Sequence, residues 1–261
     1  MSSMAPENRN TMLYIYRDNR LCEETALLKA AGLDEIPSPV VAAAGAGGKT
    51  STIRRLAQEY VRSGQQVIVM TTTRMMAEEK PWFLLEPEEE RMRELLAEYG
   101  QVWAGQPAPG GKMQGVPCEF LDKIWKMGLP VLIEADGARR LPLKVPGEQE
   151  PVILPETTHV LSVYGLDAVG QRLEDVCFRP ERAAELLDKN ITERVTAEDI
   201  AFLAASDQAG RKGCPVEAVY TVVLNKADDR KRRECALEIC RMLREKEIGN
   251  VIVSCYEEWI R

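Results

Sequence analysis

The stretch VVAAAGAGGKTS, residues 40–51, constrains this chain more than any other. An apolar, β-prone run ends in Gly45-Ala46-Gly47-Gly48, and Lys49-Thr50-Ser51 follow at once. Glycines let a backbone wrap so tightly that successive N–H groups point at phosphate oxygens. A helix that starts right after such a turn adds the positive end of its dipole. TSTIRRLAQEYVRSG (50–64) supplies that helix: Ile53, Leu56, Ala57, Tyr60 and Val61 share one face, and Gly64 is a stop signal. QQVIVMTTT (65–73) reads as the next strand. Strand, turn, helix and strand in this order form the unit of parallel α/β sheets.

The rest of the chain continues the alternation. Strands are expected at 38–44, 129–137, 158–168, 217–229 and 250–255, besides 65–73. Helices are expected at 24–33, 86–100, 118–128, 179–187, 196–206 and 229–247, besides 50–64. The expected fold is α/β, with a doubly wound, mostly parallel sheet of at least six strands flanked by helices, similar to a P-loop NTPase. Residues 1–23 read as an N-terminal extension. Residues 24–261 read as one domain with an irregular insertion around 74–117.

Composition narrows the function. The chain has 261 residues and a net charge of −7, which argues against a broad nucleic-acid face. No apolar run approaches the roughly 18 residues of a membrane span, and the N-terminus lacks the pattern of a secretory signal. Seven cysteines, odd in number and without a C-x-x-C pair, favour free thiols and a cytoplasmic setting. His159 is the sole histidine, so a multi-histidine metal site is excluded.

Three strand ends carry chemistry. In the first, Gly45, Ala46, Gly47, Gly48, Lys49, Thr50 and Ser51 are the phosphate-binding candidates. Lys49 would reach the terminal phosphates and Thr50 would ligand Mg2+. The pattern departs from G-x-x-x-x-G-K-[ST], because its first position holds Ala43. In the second, VLIEADGARR, a strand ends in Glu134 and Asp136. Asp136 is expected to organise Mg2+ with Thr50, and Glu134 to hold or orient the attacking water. The spacing E-x-x-G to Gly137 also suits a phosphate-sensing switch. In the third, Asn225-Lys226-Ala227-Asp228 fits N-K-x-D. An Asp carboxylate accepts from both N1–H and the 2-amino group of guanine, a donor pair that adenine lacks. Asn225, Lys226 and Asp228 are thus base-binding candidates, and GTP or GDP is favoured, with ATP still open.

A further group reads as substrate-binding or switch residues: Thr72, Thr73, Arg139, Arg140, Lys144 and His159. Thr71, Thr72, Thr73 and Arg74 end the second strand opposite the glycine turn, placed to ligand Mg2+ through water or to move with nucleotide state, or present simply as strand-favouring residues. Arg139, Arg140 and Lys144 are a basic cluster suited to an anionic substrate such as a pterin phosphate. His159 is read either as a member of this set or as a structural histidine.

The blocks GAGGKTS, VIVMTTTRM, EADGARRLPLKVPGEQEPVI, TTHVLSVYGLDAVG, FRPER and VVLNKAD resemble the YqeC family of selenium-dependent hydroxylase accessory proteins. The likeness runs from about residue 24 to 255, and the block that begins at Glu134 is its most specific part. It implies a role beside a selenium-dependent molybdenum hydroxylase, in maturing it or inserting its cofactor. The order of the three motifs is also similar to metallochaperone GTPases that serve nickel and cobalamin enzymes, although a metal-binding Cys/His cluster is missing. The expectation is a slow Mg2+-dependent GTPase. The alternatives are an ATP-dependent kinase or ligase for a small anionic substrate, and a non-catalytic nucleotide-bound scaffold.

Overall fold

The computed structural model describes residues 12–256. Strands β1 (Met12–Arg17) and β2 (Arg20–Glu23) form a hairpin, and a short helix, α1 (Leu27–Ala30), leads to β3 (Val40–Gly45). The turn at residues 46–48 opens into α2 (Lys49–Arg62), which returns to β4 (Val67–Thr71). Then come β5 (Arg74–Met76), β6 (Phe83–Leu84), α3 (Glu89–Tyr99), β7 (Gln101–Ala104), β8 (Gln106–Ala108) and β9 (Lys112–Gln114). Helix α4 (Cys118–Lys126) precedes β10 (Val131–Glu134), β11 (Leu143–Lys144) and β12 (His159–Gly165). The last third holds α5 (Leu173–Val176), β13 (Cys177–Phe178), α6 (Pro180–Leu187), α7 (Ala197–Ala205), β14 (Val219–Asn225), α8 (Arg230–Glu245) and β15 (Val251–Cys255).

One ten-stranded sheet organises the chain, in the order β2-β1-β15-β14-β12-β3-β10-β4-β7-β6. All neighbours from β15 to β6 are parallel, and the edge hairpin adds two antiparallel pairings, β1 with β15 and β1 with β2. The fold is therefore doubly wound α/β, with the P-loop NTPase arrangement of a glycine turn after a central strand. From β3 the chain moves outward past β10 to β4, and later fills β12, β14 and β15 on the other side. The sheet reverses its winding at β3, where the ends of strands leave a crevice.

Strand periodicity sorts side chains onto two faces. Val41 and Ala43 of β3 face the side covered by α1 and α2, together with Ile53, Leu56 and Tyr60. The other face has two separate cores. Met92, Leu95, Phe120 and Ile124, from α3 and α4, cover β4, β7 and β10. Ala183, Ile200, Leu203, Ile239 and Leu243, from α6, α7 and α8, cover β12, β14 and β15. Between them lies a seam of small residues, Ala42, Ala44 and Ala135, against which Ile153 packs. The alanines of VVAAAG are thus low enough for the irregular segment after β10 to cross the sheet, where Val152 N–H bonds Ala135 O at 3.0 Å.

Two regions have more structure than their sequences announce. Residues 12–23, read as part of an extension, close the sheet edge: Leu13 pairs with Ser254 and Ile15 with Ile252. Asp18 and Asn19 make the turn at φ 52° and 59°, the left-handed pair that a two-residue hairpin needs. Residues 74–117, read as an irregular insertion, add β6 and β7 to the main sheet and build a separate sheet, β5-β9-β8. Met75 and Met113 root that small sheet in the α2-side core. Among the described residues no helix is long and apolar enough to cross a membrane.

Leu13 is 5% exposed within the α2-side core. Leu13→Ala is expected to cost about 2–4 kcal/mol in denaturant unfolding. A dispensable extension would show no change.

Candidate active site at the glycine turn

The turn is shaped by contacts on both sides. A Cβ at Gly47 would lie 2.2 Å from Gly165 N, and one at Gly48 would lie 2.1 Å from Asn225 Nδ2. Both residues have positive φ, 81° and 138°, so an L side chain is excluded by conformation and by space. Ala46 N–H donates to Val163 O (2.8 Å) and Gly47 N–H to Leu141 O (3.1 Å). Asn225 Nδ2 donates to Gly47 O (2.9 Å), and Ser254 Oγ donates to Asn225 Oδ1 (3.1 Å). Asn225 is therefore the pin that holds the turn against β14 and β15. Ala43 causes no strain, because β3 continues through Gly45 and Ala43 sits in mid-strand opposite Glu134.

This arrangement narrows the phosphate cradle. The N–H groups of Gly45, Ala46 and Gly47 are spent inside the protein. The first bond of α2 runs from Thr52 N–H to Gly48 O (2.9 Å), so Lys49, Thr50 and Ser51 keep the orphan donors of a helix start. The usable cradle is residues 48–51, with the dipole of a 14-residue helix behind it.

The two acids at the end of β10 have different fates. Thr50 Oγ1 donates to Glu134 Oε2 at 2.6 Å. Burial pushes the Glu134 carboxyl up, against the opposing pull of Lys49. Asp136, 1% exposed, is enclosed. Its Oδ2 accepts from Gly45 N–H (3.2 Å) and pairs with Lys144 Nζ (2.8 Å), and its Oδ1 lies 3.0 Å from Lys49 Nζ. Lys49 Nζ donates to Gly45 O at 2.6 Å. Asp136 was expected beside Thr50 as a Mg2+ ligand. The structure instead gives Thr50 to Glu134 and commits Asp136 to two ammonium groups.

Lys144 also departs from expectation. Its side chain is fully buried and bonds Gly137 O (2.6 Å) and Glu150 (2.7 Å) besides Asp136. Lys144 is thus a strut, out of reach of a substrate. Burial alone would raise the Glu150 carboxyl, but hydrogen bonds from Lys144 and Arg179 hold it at about 2. Arg179 stacks on Phe178 at 4.2 Å, and Arg139 stacks on the same ring at 4.8 Å.

An open cleft of about 1310 Å3 lies over the cradle. Gly47, Gly48, Lys49, Thr50, Ser51, Glu134, Thr73, Arg139, Arg140 and Lys226 line it. Other candidates lie elsewhere. Thr72 faces away and donates to Val152 O (2.7 Å). Asp228 is not among the lining residues; its carboxylate is held by Arg232 and accepts from Cys255 Sγ (3.0 Å). His159 opens β12, at the opposite end of the sheet, because a parallel strand puts its first residue far from the carboxyl-end crevice. Its Nδ1 is 2.8 Å from Thr158 Oγ1, and burial lowers its pKa.

Arg74, expected opposite the glycine turn, lines the cleft from the small sheet. Three further residues belong to the site and were not expected there. Arg54, one helical turn beyond Thr50, lines the cleft and pairs with Glu78; the i, i+4 spacing was a usable signal. Lys112 reaches the cleft from the small sheet. Asp167 holds Lys226 at 2.6 Å. No sequence spacing pointed to Lys112 or Asp167. Among the described residues no cluster of three His, Cys, Asp or Glu forms a metal site.

Residues 41–181 match the family model described as YqeC protein, more than half of the chain. The chain belongs to the YqeC family. A curated family member, "Uncharacterized protein YqeC" of Escherichia coli (strain K12), is 26% identical over 244 residues, which cover 91% of this chain and 95% of that protein. Among solved structures, the Signal Recognition Particle 54 kDa protein from Aeropyrum pernix K1 in complex with GDP is similar at a TM-score of 0.43 and 18% identity, over 89% of this chain and 46% of that chain. The family match spans the glycine turn, both acids, the Lys144 strut and the Phe178-Arg179 pair, but not the segment around Asn225.

Glu134 gives this YqeC protein a testable pH signature. A carboxyl whose folded pKa is raised contributes its stability fully below the unfolded value, and loses it as pH rises through the folded pKa. Glu134→Gln is therefore expected to gain stability over the natural protein as pH climbs from about 4.5 toward neutrality. Denaturant midpoints across that range check it; equal midpoints at all pH values would contradict the burial cost.

Proposed function

We propose that this YqeC protein is a Mg2+-dependent nucleoside triphosphatase that takes guanine nucleotides, with the phosphates held at residues 48–51. The observation that carries this reading is the start of α2. Its free N–H donors face the cleft, and its first two side chains, Lys49 and Thr50, each rest on an acid from the end of β10. Such a site favours an anion with several oxygens.

Thr50 and Glu134 are the residues that suit Mg2+: hard oxygen donors 2.6 Å apart beside the cradle. Mg2+ usually takes only one or two protein oxygens and is otherwise satisfied by phosphates and water, so no larger cluster is needed. When bound, it would neutralise charge on the phosphate oxygens. Lys49 exchanges Gly45 O for a terminal phosphate oxygen, while Asp136 keeps its ammonium aligned. The other oxygen of Glu134 orients a water. That water attacks the terminal phosphorus as the bond to the bridging oxygen breaks; the nucleoside diphosphate leaves, and the proton passes to a phosphate oxygen. The work is positioning and electrostatics.

Guanine reading requires Asp228 to turn from Arg232 toward the base, with Lys226 stacked above it. The resemblance to selenium-dependent hydroxylase accessory proteins favours one client for this site: a selenium-dependent molybdenum hydroxylase that needs maturation or cofactor insertion. Hydrolysis would then act as the release step.

Calorimetric titration with GDP, GTP, ADP and ATP, with and without Mg2+, tests the nucleotide. Lys49→Ala should weaken binding about 10- to 100-fold, the value of a charged hydrogen bond. Asp228→Ala should remove the preference for guanine, and Glu134→Gln should bind but not turn over. Unchanged affinity in Lys49→Ala would sink the reading, and an ATP preference would redirect it to a kinase or ligase. For the client, hydroxylase activity should fall in cells that lack this protein and return with the natural chain, but not with Lys49→Ala.

A further inference from the structure

We infer that the cleft holds a second ligand beside the nucleotide: a small anionic molecule with an apolar or planar body, bound against the sheet β5-β9-β8. The inference rests on the nucleotide reading, since the cradle at residues 48–51 is taken to be filled by phosphates. It concerns the rest of the cleft, which that reading leaves unused.

Size is the first observation. Pockets for small ligands are typically about 300–1,000 Å3, and this cleft is about 1310 Å3. It runs from Lys226, at the end of β14, past the start of α2, and on to Arg74, Met76 and Lys112 beyond the end of β4. A nucleotide with its base near Lys226 and its phosphates on the cradle leaves the small-sheet end open.

Charge is the second. The protein carries a net charge of −7, yet seven Lys and Arg side chains line the cleft against three Glu. Three of the seven are spent: Lys49 on Asp136, Arg54 on Glu78 and Lys226 on Asp167. Among the described residues, Arg74, Lys112, Arg139 and Arg140 make no ion pair within 4.0 Å, and all four line the cleft. Terminal phosphate charge is already met by Lys49, the helix start and Mg2+. Four more unneutralised cations in an acidic protein call for a further anion, and a guanidinium pair suits phosphate or carboxylate.

The wall supplies the remaining contacts. Met76 is 45% exposed beside Arg74, and Phe178 carries Arg139 on its face. Met is an adaptable surface for a flat or apolar ligand. Thr73 Oγ1 is buried without a hydrogen-bond partner in the same wall, which leaves a hydroxyl for the ligand. Arg139 and Arg140 are both held in the left-handed region, φ 49° and 64°. Such strain in two consecutive non-glycine residues marks a loop whose side-chain directions matter.

The test uses phenyl phosphate as the probe and saturation-transfer NMR as the readout, on protein saturated with a non-hydrolysable nucleoside triphosphate. Phenyl phosphate should bind with the nucleotide in place. The double variant Arg74→Ala/Lys112→Ala should weaken the probe about tenfold or more while nucleotide affinity holds. Both residues are exposed, and an unchanged melting temperature confirms the fold. Displacement of the probe by the nucleotide would overturn the inference, as would equal probe affinity in the double variant. If no nucleotide binds to the natural protein, the parent reading falls and this one with it, an outcome distinct from failure of the probe alone.

Discussion

The site depends on one carboxylate. Asp136 meets Gly45 N–H from the glycine turn, Lys49 from α2 and Lys144 from the segment that follows β10. Two stretches of chain distant in sequence, 45–49 and 136–144, are thereby fixed around a point that is 1% exposed. Burial makes the arrangement strict. Charges out of water are tolerable only while paired, and loss of one partner from a buried pair costs about 3–5 kcal/mol. The chain answers with a row of alternating charge, Lys49, Asp136, Lys144, Glu150 and Arg179, which begins at the start of α2 and ends where Arg179 stacks on Phe178.

That row explains why the block from Glu134 to Ile153 is so distinctive. After β10 the backbone carries Asp136 to the turn and Arg139 and Arg140 to the cleft, then buries Lys144 beneath Phe178. It finally crosses the alanine seam with Ile153. Each demand is local and severe, and together they leave few positions free. The low side chains of β3 belong to the same solution. A larger residue at Ala42 or Ala44 would lift the crossing segment and, with it, the strut that Asp136 requires.

Much of this was legible from the sequence. The six central strands announce themselves because parallel strands buried on both faces are continuous apolar runs. The glycine turn was legible because strand, glycines and helix lie side by side. The hairpin of β1 and β2 was overlooked although Asp18-Asn19 between alternating residues is a hairpin signal. His159 could have been set aside by the same logic, since the first residue of a parallel strand lies opposite the last. The roles assigned to Glu134 and Asp136 did not match the contacts they make. Both stand at one strand end and both are buried, and only Lys144, brought in by the fold, commits Asp136 to ion pairs. A charged residue reads as solvated, and although Leu143 and Val145 flank Lys144, nothing in the sequence shows which acids would meet its charge in the interior.

The resting pairs also set what a phosphate must overcome. Lys49 and Thr50 are already satisfied, on Gly45 O with Asp136 and on Glu134. A ligand there would gain only the difference between its own hydrogen bonds and those it displaces. The exchange is nonetheless favourable in one respect. Glu134 is held where burial opposes its charge, and a cation arriving with the phosphates relieves that cost. On the proposed reading, binding and stability would be coupled through the same carboxylate: the burial that opposes the Glu134 charge would also favour a metal-bound polyphosphate. Asp136 is paired with an ammonium on each side, Lys49 and Lys144, which fits it for holding Lys49 in line rather than for chemistry.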